Sequence, residues 1–380
     1  MKYYDYIIVG GGAAGLMMAY RMAKDVFFDD KKILIIDKVK KTTNDKTWCY
    51  WETKNGDWDD LLTTSWNTIL FESDSLVLEE NIAPYSYKMI RSSNFYAQIW
   101  KTLEHKNNIH FLEENVVSIH QQKEDAKIIT EKAVYTTKTL LNSILFDPSY
   151  KKQTTYPLLQ QHFVGFFIKT KEDTFKDTTA TFMDFTVPQN GNTRFMYVLP
   201  ISKTEALFEY TLFSSDLLAF DVYKTAIEKY LERKNITNYT IIEQEQGAIP
   251  MTCYKFWNKN STNIMHIGTA GGWSKASTGF TFKNINKKTK ELVEHIKDQK
   301  PFSKFHKINK FWFYDLLLLD ILHEKNYLGA NIFSKMFQKS PTHKILKFLD
   351  EETSIFEDFQ IILKMPPYYF IRALFRRFLS

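Results

Sequence analysis

Residues 4–15 read Tyr4-Asp5-Tyr6-Ile7-Ile8-Val9-Gly10-Gly11-Gly12-Ala13-Ala14-Gly15, and this stretch decides the fold. The apolar run before the glycines is typical of a buried parallel strand. Helix-forming residues 16–24 follow the glycines, and a second apolar run, 33–36, ends in Asp37. The order is strand, glycine turn, helix, strand and acid. The acid lies about 20 residues after the last glycine, as a dinucleotide-binding unit requires.

Each residue of this turn has a physical role. Gly10 permits the tight turn out of the strand, Gly12 lets the backbone approach a pyrophosphate, and Gly15 lets helix and strand pack closely. Ala14 lies at the start of the helix, where free N–H groups favour phosphate. Asp37 is suited to accept hydrogen bonds from ribose hydroxyls and disfavours a 2′-phosphate. A unit that begins at residue 5 is typical of FAD enzymes.

Composition excludes several classes of protein. The chain has 380 residues and a formal charge of +6, enough for two domains, and its Lys and Arg residues are interleaved with acids. Nucleic-acid binding is therefore not expected. Cys49 and Cys253 are not in a metal-binding spacing and suit the reducing cytoplasm. We expect neither a secretory signal nor a transmembrane helix, because no apolar stretch is long enough.

Aromatic residues make up 16% of the chain, and two interpretations fit this. The rings either fill a core or line a long apolar pocket in which they stabilise a cation. The basic, aromatic-rich residues 366–379 also have two interpretations. They either lie on an anionic membrane surface or form a docked helix with Arg372, Arg376 and Arg377 on its solvated side.

Hydrophobic periodicity predicts the elements that follow the first unit. We expect a polar, Trp-rich loop at 42–52, extended chain at 68–90, and a helix capped by Ser92 or Ser93 that runs to about residue 104. A small meander packed over the first sheet is expected next, followed by a core strand at 140–148. Further along, the pattern predicts four antiparallel strands, at 161–169, 179–187, 194–201 and 206–213. A helix is predicted at 221–233, and a mostly helical region at 301–380.

The predicted fold class is therefore α/β. A Rossmann-like FAD-binding domain of the glutathione-reductase/hydroxylase kind is discontinuous and spans residues 1–155 and 245–300. An antiparallel substrate-binding sheet, 156–244, is inserted into it. Residues 301–380 form a mostly helical C-terminal region.

A second glycine cluster follows the apolar residues 264–267. Gly268, Thr269 and Ala270 form a turn, and a helix is predicted past Gly279. Such a turn places backbone N–H groups on the pyrophosphate and the flavin ring. Generic flavoproteins of this fold carry Asp where Thr269 stands here.

Five segments in this order resemble the bacterial flavoprotein lycopene β-cyclases over nearly the whole chain. They are residues 10–16, Asn44-Asp45-Lys46-Thr47-Trp48, Phe208-Glu209-Tyr210-Thr211, Gly247-Ala248-Ile249-Pro250, and the cluster from Gly268 to Ser277-Thr278-Gly279-Phe280-Thr281-Phe282. The Asp-x-Thr-Trp motif, the strand glutamate and the Ser-Thr-Gly segment are the more specific parts.

The resemblance implies an isomerase that needs reduced FAD, with electrons from NAD(P)H. The terminal alkene of a ψ-end of lycopene is protonated, the neighbouring double bond attacks the cation, and loss of a proton leaves a β-ionone ring. The products would be γ-carotene and then β-carotene. Because a C40 hydrocarbon comes from a bilayer, the resemblance implies a cytoplasmic protein peripherally associated with the membrane.

Glu209 is the expected general acid. It shares its strand face with Leu207, Thr211 and Phe213, and a carboxyl group desolvated there stays protonated near neutral pH. The resemblance places the essential acid of the family at this position. Asp184 either assists Glu209 in proton transfer or has a structural role.

Four further residues are expected near the flavin or the pocket mouth. Asp45, Thr47 and Trp48 belong to the family motif, with roles that the sequence does not specify. Arg91 resembles a flavin-contacting arginine in related folds, and a surface arginine is the alternative.

Two other functions compete with the cyclase. An FAD-dependent monooxygenase or halogenase often has Asp-Gly and Gly-Asp pairs where this chain has Asp147-Pro148 and Gly268-Thr269. A non-catalytic FAD-containing binder of isoprenoids would not need a buried, protonated Glu209. The sequence carries no signal for an oligomeric state.

Overall fold

We describe residues 2–379 in a computed structural model. The strands are β1 (Lys2–Val9), β2 (Ile33–Asp37), β3 (Thr47–Glu52), β4 (Leu62–Trp66), β5 (Thr68–Ser73), β6 (Leu76–Asn81), β7 (Ser86–Arg91), β8 (Ile109–Glu113), β9 (Val116–Gln121), β10 (Ala126–Thr130), β11 (Val134–Asn142), β12 (Leu159–Thr170), β13 (Thr179–Asp184), β14 (Thr193–Pro200), β15 (Glu205–Ser214), β16 (Tyr239–Met251) and β17 (Ile264–His266). The helices are α1 (Ala13–Ala23), α2 (Ser92–Leu103), α3 (Ser149–Lys152), α4 (Phe220–Arg233), α5 (Phe282–Lys297), α6 (Lys310–Glu324), α7 (Gly329–Lys339), α8 (Thr342–Leu349), α9 (Ile355–Ile362) and α10 (Pro367–Leu379).

The first sheet confirms the dinucleotide-binding unit. Its order is β8-β2-β1-β11-β10-β9, with β17 beside the end of β11. Strand β1 is parallel to both β2 and β11, and β11 is parallel to β17. The carboxyl ends of these four strands therefore meet at one edge of the sheet. Apolar side chains of α1, α2 and α5 pack together against one face. Ligands bind at the carboxyl edge of such sheets.

The predicted meander is wrong in its position. Strands β9 and β10 do not lie over the first sheet but extend it, antiparallel to β11. The core strand predicted at 140–148 begins earlier, as part of β11, and ends at Asn142. Thr136 and Thr137 lie within this strand, and threonine suits a strand well.

A seven-stranded second sheet has the order β16-β12-β15-β14-β13-β5-β6. Its strands β12 to β15 and the helix α4 confirm the predicted pattern. Strands β5 and β6 come from the predicted FAD-binding range, and β5 pairs in parallel with β13. Helix α4 covers one face of the sheet, and the C-terminal helices pack against the other.

The expected loop at 42–52 is partly a strand. Strand β3 pairs with β7 in a three-stranded sheet of order β3-β7-β4. Its sequence Thr-Trp-Cys-Tyr-Trp-Glu is rich in aromatic residues, which favour strands. The polar residues that precede the strand concealed this preference.

The C-terminal region is helical, as predicted. Helix α10 docks on α6, and its arginines form ion pairs with acidic residues of α6. Arg372 and Arg376 bind Glu324, and Arg377 binds Asp320 with two hydrogen bonds. The docked-helix expectation is thus confirmed for the docking and for the exposed Arg372 and Arg376, whereas Arg377 is half-buried. The solvated side of α9 and α10 also carries apolar side chains. Across residues 2–379, none of the helices combines the length and apolarity needed to cross a membrane.

Candidate active site

The first glycine turn has the shape that its sequence predicts. Gly10 has φ of +97°, a value that glycine adopts readily. A Cβ on Gly15 would lie 1.9 Å from the carbonyl oxygen of Gly10, so helix and strand pack too closely for any side chain. A Cβ on Gly12 would meet no atom within 4 Å. The backbone at Gly12 therefore borders open space at the start of α1.

Asp37 lies at the end of β2 beside this turn. Its carboxylate accepts a hydrogen bond from the backbone N–H of Gly11. The acid predicted from spacing alone is therefore in place, at the carboxyl edge of the first sheet.

The second glycine turn touches the first. Gly268 has φ of +59°, and a Cβ there would lie 2.8 Å from the Cβ of Ala14. Thr269 and Ala270 continue this short 3-10 turn, Gly268–Gly271, after β17. Gly279 has φ of +69° and lies against the side-chain oxygen of Gln161. Residues far apart in sequence thus form one continuous backbone surface.

A cavity of about 420 Å³ extends from both turns to the second sheet. Gly12, Ala14, Gly268, Thr269 and Gly279 line its first-sheet end. Its remaining wall is strongly aromatic, with rings from Trp48, Tyr87, Tyr96, Phe163, Tyr197, Phe280 and Phe282. The cavity therefore joins a polar backbone surface to an apolar, ring-lined chamber.

Two glutamates face each other in this chamber. In the strand register, Gly165 of β12 lies opposite Glu209 of β15 on one side and Glu245 of β16 on the other. A Cβ on Gly165 would lie 3.2 Å from Cγ of Glu245 and 3.5 Å from Cβ of Glu209. The missing side chain lets the two carboxyl groups approach each other across the middle strand.

Burial controls the protonation of this pair. It raises the pKa of Glu209 well above its ordinary value, and the charge of Glu245 raises it further. Burial also raises the pKa of Glu245, but a hydrogen bond from Thr47 and the charge of Arg91 oppose this rise. The pair therefore keeps a proton to higher pH than ordinary carboxyl groups do, predominantly on Glu209. A neutral carboxylic acid at an apolar wall is suited to general-acid chemistry.

The Asp45-x-Thr47-Trp48 motif lines the same cavity. Thr47 Oγ1 donates to Glu245 Oε2 over 2.8 Å. Trp48 stacks on Phe282 with ring centroids 5.0 Å apart. The motif therefore positions one carboxylate of the pair and one aromatic wall.

Asp45 fastens the motif to α2. Its carboxylate accepts hydrogen bonds from Lys41 at 2.6 Å and from the Tyr96 hydroxyl at 2.9 Å. Burial alone would raise the pKa of Asp45, but these hydrogen bonds lower it below its ordinary value. Asp45 is thus an ionised anchor and is not suited to be an acid.

Ser92 is the first residue of α2, and the expected side-chain cap is absent. Arg91 occupies the N-cap position. The hydroxyl of Ser92 instead accepts hydrogen bonds from the backbone N–H groups of Asp45 and Lys46, both at 3.0 Å. The serine therefore holds the motif loop, a role that its sequence position does not reveal.

Asp184 does not lie in the cavity, which corrects the expectation that it assists Glu209. It is fully buried on the α4 side of the second sheet. Its carboxylate accepts hydrogen bonds from the hydroxyls of Tyr230 at 2.7 Å and Thr186 at 2.6 Å. The alternation of side chains along the strands places it on the face of the sheet opposite Glu209.

Arg91 also lies outside the cavity lining. Its guanidinium pairs with Glu243 and lies 3.8 Å from the centroid of the Phe167 ring. Its effect on the site acts through charge, because it lowers the pKa of Glu245. Contact between Arg91 and a flavin stays a prediction.

Sequence reasoning missed Glu245 and Gly165. The stretch Glu243-Gln244-Glu245-Gln246 is polar at every position, so alternation does not show which side chain is buried. The one local signal is Gly165 within an apolar strand, since an isolated strand glycine often marks a close approach.

Comparisons with known proteins agree with this architecture. The model of the family described as lycopene cyclase protein matches residues 5–375. The comparison with curated protein sequences finds no significant match.

Solved structures share the fold at low identity. A geranylgeranyl bacteriochlorophyll reductase-like protein from Thermoplasma acidophilum is 14% identical with a TM-score of 0.60, covering 98% of each chain. A flavoprotein/dehydrogenase from Cytophaga hutchinsonii is 11% identical with a TM-score of 0.65, covering 99% of this chain and 100% of that chain. The flavin-dependent brominase Bmp2 is 11% identical with a TM-score of 0.59, covering 92% of this chain and 93% of that chain.

Proposed function

Because this chain belongs to the lycopene cyclase family, we propose that it is a lycopene β-cyclase that converts the ψ-ends of lycopene to β-ionone rings without net oxidation or reduction. The observation that carries this proposal is the buried Glu209, paired with Glu245 in a ring-lined cavity that reaches both glycine turns, where burial raises its pKa. An alkene is a weak base, so its protonation needs a carboxylic acid that keeps its proton in an apolar, desolvated site.

FAD is the proposed cofactor, and the residues at the two turns fit it. Open space at Gly12 leaves room for a pyrophosphate, and the start of α1 offers its N–H groups. Asp37 is available for ribose hydroxyls. The side-chain oxygen of Gln161 is buried at the cavity without a hydrogen-bond partner among the described residues. When bound and reduced by NAD(P)H, FAD supplies negative charge beside the substrate.

Proton transfer is assigned to the glutamate pair. Glu209 gives its proton to the CH carbon of the terminal (CH3)2C=CH double bond of the ψ-end. The dimethyl-bearing carbon becomes a tertiary cation, and the neighbouring double bond attacks it to close the ring. The ring then returns one proton to the carboxylate pair, so atoms and electrons balance. Glu245 favours the intermediate because two adjacent carboxylates attract a substrate cation.

Aromatic rings of the cavity wall stabilise the same cation. Tyr197 lies opposite Glu209 in the strand register, and Phe163 and Tyr87 line the cavity with it. The faces of such rings attract positive charge without acting as bases. They therefore protect the cation from capture by water or hydroxide.

The substrate is proposed to enter from a membrane through the C-terminal apolar surface. We define this surface by the exposed side chains of α9 and α10, which are Ile355, Phe356, Phe359, Tyr368, Ile371, Phe375, Phe378 and Leu379. Phe356 and Phe378 are 72% and 76% exposed. A surface of this kind is typical of proteins that lie on a lipid interface.

The decisive experiment is an anaerobic assay of purified protein with reduced FAD and lycopene in liposomes. Ringed product should form without net flavin oxidation, and Glu209→Gln should abolish it. Glu205→Gln is the matched control, since Glu205 lies on the same strand but pairs with Lys169 outside the cavity. Flavin oxidation that needs both substrate and oxygen would instead support a monooxygenase or halogenase.

A further inference from the structure

A second cavity, of about 550 Å³, lies between α4 and the second sheet. Arg194 of β14 and Tyr210 of β15 form its floor, and Lys229 and Arg233 of α4 lie at its wall. Tyr210 follows Glu209 directly in the strand, so its side chain points to the opposite face of the sheet. This cavity is therefore separate from the candidate active site.

Arg194 is a buried cation with no carboxylate partner among the described residues. The residue is only 7% exposed. The guanidinium donates to Asn192 Oδ1 at 3.0 Å and to the Tyr210 hydroxyl at 3.3 Å, both neutral groups. Its Nε is buried with no hydrogen-bond partner in the described chain. Within residues 2–379, no carboxylate oxygen lies within 4.0 Å of this guanidinium.

An unpaired buried charge costs free energy, so such groups are normally paired or used for binding. The charge also acts on its surroundings. Burial and the nearby Arg194 together lower the pKa of His162 to about 4, which leaves this histidine neutral. Asp221 is the one acid that lines the cavity, against three basic residues.

The other lining residues define the remainder of the ligand. Val187, Pro188, Val222 and Ala226 are apolar, and the ring of Tyr210 adds a flat wall. The volume is typical of small-molecule sites. We propose that this cavity binds a small amphiphilic carboxylate, with its head on Arg194 and its apolar body along α4. Arginine suits this head because it can bind both carboxylate oxygens.

The test is calorimetric titration of the full-length protein with octanoate, alongside octanol and octyl phosphate. We expect saturable one-to-one binding of octanoate and none of octanol. Tighter binding of octyl phosphate than of octanoate would assign the head group to phosphate and overturn the carboxylate assignment.

Two variants separate binding from folding. Arg194→Gln should weaken octanoate binding by about tenfold or more, because it removes a charge-assisted hydrogen bond. Ala226→Leu should also weaken it by filling the cavity, while Arg194 stays intact. Lys224→Gln is the control, since it removes one positive charge from α4 without lining the cavity. Equal affinities in all four proteins, or no saturable binding, would overturn the proposal.

Discussion

The charge of Glu245 sets the pH range in which Glu209 is an acid. Activity requires protonated Glu209, so the rate should fall as pH rises through its pKa. Burial and the Glu245 charge both raise this pKa. In Glu245→Gln, burial still raises the pKa of Glu209, against the lowering effects of the Thr211 hydrogen bond and the Lys46 charge, and the fall should occur at lower pH. The pH dependence of the cyclisation rate measures this shift, and an unchanged or higher midpoint would contradict the coupling.

Thr47 provides a second probe of the same pair. Its hydroxyl lowers the pKa of Glu245, so Thr47→Val should move the shared proton toward Glu245 and reduce the rate by about tenfold. Thr47→Ser keeps the hydroxyl and should retain most of the activity. Equal losses in both variants would show that the methyl group matters and that the hydrogen bond does not.

The raised pKa of Glu209 also has a cost in stability. A group whose pKa is raised by folding stabilises the folded protein below its unfolded pKa, and this contribution is lost as pH rises through the folded value. Glutamine has no charge to bury. Glu209→Gln should therefore melt at a higher temperature than the parent protein, by a margin that grows as pH rises above the ordinary carboxyl range. A margin that shrinks with pH would mean that Glu209 is ionised in the folded state.

At the scale of the element, the two ends of the first glycine turn should respond differently to a methyl group. Gly12→Ala meets no atom within 4 Å, so the protein should fold normally but lose FAD affinity by at least about tenfold. Gly15→Ala places Cβ 1.9 Å from a carbonyl oxygen and should disrupt the fold. Melting temperature and FAD titration measure the two effects. Normal FAD binding by Gly12→Ala would show that the pyrophosphate does not bind at this turn.

The elements that sequence predicted well are those with local causes. The turn from Gly10 to Gly15, the acid Asp37 and the alternating strands β12 to β15 depend on neighbouring residues and were all confirmed. Glu245 was missed because its position depends on pairing with a strand about 80 residues away in sequence. Register of this kind has no local signal in a strand that is polar on both faces.

For the whole molecule, long-range pairing changes the predicted layout. The second sheet takes β5 and β6 from residues before the predicted insertion and extends through β16. Asp184 and Glu209 have similar local sequences, since each is a strand carboxyl among apolar residues, although only Glu209 was expected to be the general acid. The sheet places them on opposite faces, one against α4 and one in the cavity. Assigning a role to either residue therefore requires the assembled sheet.

The C-terminal apolar surface predicts how the molecule meets a membrane. Arg372, Arg376 and Arg377 are engaged by Glu324 and Asp320, so binding should depend on apolar burial more than on lipid charge. We expect similar binding to neutral and anionic vesicles in sedimentation assays, with little change between about 0.1 and 1 M salt. Strong preference for anionic lipid, lost at high salt, would contradict this.

A double variant, Phe356→Ser with Phe378→Ser, tests whether this surface delivers the substrate. Vesicle binding should fall because two large exposed rings no longer enter the lipid. Cyclisation of lycopene in liposomes should fall with it, whereas cyclisation of lycopene dispersed in detergent should be unchanged, since neither ring lines the cavity. Val77→Ser is the control, an equally exposed apolar residue on β6 (71% exposed). If both substrate preparations lose activity together, the helices support the fold of the active site, and the route from the membrane lies elsewhere.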